Sequence, residues 1–151
     1  MEPFVRTFSS QFGPWSLVIG TAIMVASSWW CERVRYPAFR TWSDEEFLRR
    51  HALHTFQISI FVVPGMLLQL AGTAAIWLSG GPGWYFWLNV LCCAGSIGPT
   101  LLVSGPIHGR LSGGKDPALI ERLIRTNLPR TIVWSLQFAL ALAWFGFQTR
   151  H

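Results

Sequence analysis

Between Arg50 and Arg110 lie 59 residues without an Asp, Glu, Lys or Arg. A chain of 151 residues has no interior large enough to hide such a stretch from water. A bilayer does, because crossing a ~30 Å hydrocarbon core takes roughly 20 helical residues. The run is interrupted at Gly80-Gly81-Pro82-Gly83, a turn signal, so it divides into two spans. Shorter charge-free runs at 7–31 and 131–149 each suffice for one more. The pattern predicts a single all-α membrane domain over 1–151, a four-transmembrane-helix bundle with spans near 14–31, 55–79, 84–103 and 131–148. The first apolar stretch has no basic leader and no A-x-A site, so it is expected to stay as a helix and not to be cleaved as a signal peptide.

Basic residues set the orientation. Arg33, Arg35, Arg40, Arg49 and Arg50 fall between the first two spans; Arg110, Lys115, Arg122, Arg125 and Arg130 fall between the last two. These hold ten of the twelve basic residues, leaving Arg6 and Arg150 for the other side. The positive-inside rule then predicts a multi-pass protein of the bacterial inner membrane with both termini outside. Anionic headgroups account for the net charge of +5, so no nucleic-acid partner is needed. Cys31, Cys92 and Cys93 offer no C-x-x-C and no disulfide framework.

Local signals refine the helices. Gly20, Ala22, Ala26, Ser27 and Ser28 give the first span a small-residue packing face. Tyr36-Pro37 is expected to break the helix after it. Ser43-Asp44-Glu45-Glu46 is a capping sequence, and i,i+4 pairs Glu45–Arg49 and Glu46–Arg50 follow. One long second helix is expected to start there, projecting into the cytoplasm, with Pro64-Gly65 as a kink. Asp116-Pro117 starts a short helix with Leu119, Ile120, Leu123 and Ile124 on one face, expected to lie amphipathically at the interface and to end before Pro129.

His51, His54 and His108 are the residues best suited to chemistry. His51 and His54 share a helix face, and His108 returns to the same depth after the third span. Three imidazoles at one level suit a general base or a metal site, for iron, copper or zinc. A haem would need His54 and His108 to face each other. No carboxylate lies inside a span and no Glu-x-x-His occurs, which disfavours a di-iron centre. Asn127 and Arg130, at the entry to the fourth span, are candidates for holding an anionic or enolic oxygen. Gln57, one turn beyond His54, is a candidate substrate contact. The bland alternatives are interfacial capping for the histidines, interhelical bonding for Gln57 and headgroup contact for the cations.

Tyr36-Pro37, His51-x-x-His54, Pro64-x-Met66-Leu67, Pro106-x-His108-x-x-Leu111 and Asn127-x-x-Arg130-Thr131-x-x-Trp134 together resemble a group of small bacterial four-helix membrane proteins. More distantly, the pattern resembles the membrane family that includes the fungal anthrone oxygenases. That resemblance implies an oxidoreductase using molecular oxygen on a lipophilic, phenolic substrate. His108 stands where the distant family tends to have Asn. Taken with that resemblance, the residues suggest a membrane oxidoreductase with His54 or His108 as the base and Asn127 and Arg130 as oxyanion partners. The competing reading is a non-catalytic subunit packing in a homo-oligomer or larger membrane complex. A transporter is disfavoured by the absence of ionisable residues within the spans.

Overall fold

The computed structural model describes residues 3–80 and 83–148. The chain forms helices α1 (Pro3–Trp30), α2 (Tyr36–Thr41), α3 (Asp44–Leu78), α4 (Trp84–Pro99), α5 (Gly105–Leu111) and α6 (Pro117–Gln148). A π-helical turn, Cys31–Arg35, joins α1 to α2, and a second, Thr100–Ser104, joins α4 to α5. Four helical stretches result: Ser9–Thr41, Asp44–Leu78, Trp84–Leu111 and Pro117–Gly146. Each is long and apolar enough to cross a membrane. Of the turn between α3 and α4, Gly80 has a φ of 117°, a left-handed value that favours glycine. Gly81 and Pro82 lie outside the described residues.

Tyr36-Pro37 does not end the first helix. Proline lacks an N–H and its ring crowds the carbonyl four residues back. Widening the preceding turn relieves both problems. Tyr36 N–H donates to the Cys31 carbonyl and Gly105 N–H to the Thr100 carbonyl, each five residues back and each just before a proline, Pro37 or Pro106. The chain turns instead at Trp42, whose ψ is 140°. Ser43 then caps α3, its Oγ accepting from Glu46 N–H at 3.3 Å, and Glu46 pairs with Arg50 at 3.2 Å. The expected long second helix runs unbroken for 35 residues through Pro64.

Two expectations for the last helix need correction. Pro129 lies inside α6, so the short helix and the fourth span are one element. Burial explains this: Leu119, Ile120, Leu123, Asn127, Arg130, Thr131 and Trp134 form one buried stripe that continues past the proline. Pro129 and Arg125, whose carbonyl the proline leaves without its helical donor, are both exposed. Nor does the apolar face of 119–124 lie on an interface. It packs on the protein's own core with Phe39, Phe47, Ile107 and Leu111.

The bundle buries many polar side chains beside its apolar core and exposes large apolar ones. Ser16, Thr21, Gln69, Asn89, Ser96 and Gln137 are buried, whereas Phe56, Phe61, Leu67, Trp87, Leu91 and Leu102 are exposed. This arrangement suits a hydrocarbon surrounding, where interior polar groups bond one another. Gln137 Nε2 donates to Asn89 Oδ1 at 2.8 Å and to Cys93 Sγ at 3.1 Å, and Asn89 Nδ2 donates to Thr73 Oγ1 at 2.7 Å. Antiparallel α1 and α3 meet through glycines. A Cβ on Gly20 would stand 2.9 Å from the Gly65 carbonyl, and one on Gly72 would stand 2.9 Å from that of Gly13. Ser16 Oγ donates to the Leu68 carbonyl at 2.7 Å, and Ser28 bonds Thr131 on α6.

Candidate functional site

Both π turns open onto the same cavity, of about 450 Å³. Its long wall is apolar, built from Met24, Val62, Val63, Met66, Leu67 and Leu70. Val63, Leu67 and Leu101 are more than half exposed, so the cavity communicates with the outer apolar surface between α3 and the second π turn. Its closed end is polar: Cys31, Tyr36, Ser104, His108, Asn127 and Arg130.

Arg130 dominates that end. The side chain is 5% exposed, with its guanidinium 5.5 Å from the Trp134 ring centroid. Nη1 donates to Thr100 Oγ1 at 3.2 Å and to Ser104 Oγ, both supplied by the second π turn. Nη2 donates to Asn127 Oδ1 at 2.6 Å. Nε has no partner. Among the described residues no carboxylate lies within ion-pair distance of Arg130. The nearest compensation is relayed: Asn127 Nδ2 donates to Glu32 Oε2 at 2.6 Å, so the amide stands between acid and guanidinium. A buried cation without a direct counter-ion is costly, and an entering anion would offset that cost.

Asn127 is fully engaged. Its oxygen accepts from Arg130 and its nitrogen donates to Glu32 and to Thr131 Oγ1 at 3.3 Å. It therefore orients Arg130 and keeps no spare donor for a substrate oxygen.

The three histidines come together as expected, but in unequal roles. His51 Nε2 and His108 Nδ1 stand 3.0 Å apart. His51 is fully buried and stacks on Phe47 with ring centroids 5.3 Å apart and planes at 12°. His108 is partly exposed and lines the cavity. His54 is buried behind it among Trp30, Tyr36 and Phe39, with neither ring nitrogen partnered, and does not line the cavity.

Among the described residues no three His, Cys, Asp or Glu side chains converge to hold a metal ion. The expected ligand set of His51, His54 and His108 is not such a group: the rings pack as an aromatic trio, His51 and His108 with centroids 5.3 Å apart. His54 and His108 lie with ring centroids 5.7 Å apart and planes at 46°, and Tyr36 and Phe39 pack against both rings. Gln57 is placed elsewhere: Arg35 Nη2 donates to its Oε1 at 3.2 Å in a separate cleft.

Thr100, Ser104, Tyr36 and Glu32 also belong to this site, and of these Ser104, Tyr36 and Glu32 carried no functional role in the sequence. The available signal was spacing: Thr100 and Ser104 are four apart, directly before Gly105-Pro106. Comparison with protein-family models, curated proteins and solved structures finds no match to this chain. Fold and site define a class: a four-helix bundle with an apolar exterior and a lipophilic cavity ending at a guanidinium and an imidazole pair.

Proposed function

We propose that the chain is a multi-pass protein of the bacterial inner membrane, both basic connections cytoplasmic, that takes a lipophilic acid from the bilayer and oxidises it. The observation carrying this reading is Arg130, buried at the closed end of an apolar cavity with only neutral direct partners. A molecule with a greasy body and a phenolic, enolic or similarly ionisable head matches both ends. On this reading α3, about 50 Å long by its rise per residue, projects its charged first turns beyond the hydrocarbon.

The chemistry follows from the imidazole pair. The facing nitrogens require one donor and one acceptor. With His108 donating from Nδ1, its Nε2 keeps a lone pair able to take a proton from the substrate's O–H or acidic C–H. His51, held in place by its stack on Phe47, presents Nε2 as the acceptor in that arrangement. Charge developing on the substrate oxygen is stabilised by Arg130, whose Nε–H is unpaired and which Asn127, Thr100 and Ser104 hold in place. The oxidative half is what the resemblance to anthrone oxygenases adds. The deprotonated carbon reacts with dioxygen and the ring CH₂ becomes C=O; one oxygen atom enters the product and the other leaves as water.

Oxygen uptake by the detergent-purified protein with anthrone as substrate tests this. Wild type should turn over. His108→Ala should lose on the order of a hundredfold or more, the usual contribution of a positioned base. Undiminished uptake in His108→Ala would overturn the assignment.

A further inference from the structure

A second charged group with incomplete pairing sits on the opposite side of the α1–α3 seam. Arg35, on the first π turn, lies with its guanidinium carbon 4.6 Å from the Trp30 ring centroid and donates from Nη2 to Gln57 Oε1 at 3.2 Å. Its Nε is buried and unpartnered, and among the described residues it makes no ion pair. Gln57 keeps its amide nitrogen to donate. Below this polar pair runs a groove of about 690 Å³ lined by Ile23, Ala26, Ile58, Ile60 and Phe61. Depth is ordered along both segments: α1 passes from Ile23 through Ala26 and leads by the first π turn to Arg35, and α3 passes from Gln57 to Ile60 and Phe61. Polar donors therefore stand at one level and an apolar channel at the next, the order of head and tail in a lipid.

We infer that this groove binds one anionic glycerophospholipid, its phosphate on Arg35 and Gln57 and one acyl chain along Ile23, Ile60 and Phe61. Charge complementarity selects the class. A guanidinium without a carboxylate accepts a phosphate fork-on-fork, and a zwitterionic lipid would bring an ammonium beside it. The groove also belongs to the end of the bundle that holds ten of the twelve basic residues, where anionic headgroups gather. This inference rests on the membrane placement proposed above and not on the chemistry at His108.

Native mass spectrometry of the detergent-solubilised full chain, titrated with phosphatidylglycerol or phosphatidylcholine, tests it. The first retained lipid should be phosphatidylglycerol, preferred roughly tenfold, the scale of one charge-assisted hydrogen bond. Arg35→Gln should abolish the preference and Arg35→Lys should keep part of it. Arg33→Gln, on a neighbouring arginine stacked on Trp29 instead, should leave it unchanged. Ile60→Trp, which fills the groove and leaves the charge, should weaken the first binding event, so the proposal stays testable if Arg35→Gln fails to fold. Equal retention of both lipids by wild type, or an unchanged preference in Arg35→Gln, would overturn the assignment. Inorganic phosphate displacing the lipid at equal concentration would do so too, by assigning the site to a free anion.

Discussion

His51 Nε2 and His108 Nδ1 face each other at 3.0 Å, and only His108 reaches the cavity. Two imidazoles joined this way cannot both carry a proton on the facing nitrogen, so at least one is neutral. His51 is thus a positioning residue for His108. His51→Ala should lower turnover by about a hundredfold, the scale for misplacing a reacting group by an ångström, while the Kd for substrate stays near wild type. His51→Gln, which can still accept at that position, should restore part of the loss. Steady-state kinetics beside equilibrium binding separates this from general destabilisation, which would move both.

The same geometry gives a sign for pH. One proton taken up at His108 Nε2 leaves the bond between the rings in place but removes the lone pair that would accept the substrate's proton. Activity should fall on the acid side and hold toward neutral pH. A rate that rises steadily as pH is lowered would contradict His108 as the base.

Arg130 separates function from stability. Its charge is buried without a direct counter-ion, so removing it relieves a desolvation cost as well as losing hydrogen bonds. Arg130→Gln should leave the Tm of the empty protein nearly unchanged but abolish the rise in Tm that an acidic lipophilic ligand gives wild type. A large fall in Tm without ligand would instead mark Arg130 as a structural tie.

Glycines on the α1–α3 seam should be intolerant. Gly20→Val forces a side chain against the Gly65 carbonyl and Leu68, with expected destabilisation of about 1–3 kcal/mol. Gly98→Ala meets nothing within 4 Å and should be neutral or slightly stabilising through helix propensity, by up to about 1 kcal/mol. Thermal unfolding in one detergent compares the two.

The helix plan was legible because charge gaps and caps are local. Ser43 and Asp116 start α3 and α6 as their side chains dictate. The prolines misled because their effect depends on what surrounds them. Pro37 widened a turn instead of ending a helix, and Pro129 was overridden by a buried stripe on both sides of it. For the site, the shared depth of His51, His54 and His108 could be read from spacing, and so could the Asn127–Arg130 pair. Which ring faces the cavity could not. That depends on how α5 leans on α3, a tertiary fact that sends His108 toward the cavity and His54 behind it. Gln57 follows its bland alternative, a bond to Arg35 on a neighbouring helical segment, because its helix face leads to another cleft.

Binding and ionisation of a lipophilic acid in this cavity can be read out directly. The most direct measurement is the near-ultraviolet spectrum of a hydroxyanthracene added to the purified protein at neutral pH, because a phenol's absorption moves to longer wavelength when it loses its proton. Wild type should show the phenolate band on binding, His108→Ala should bind with the neutral phenol band, and Arg130→Gln should bind weakly or not at all. A neutral phenol spectrum with wild type, or a phenolate band that survives in both variants, would contradict the account.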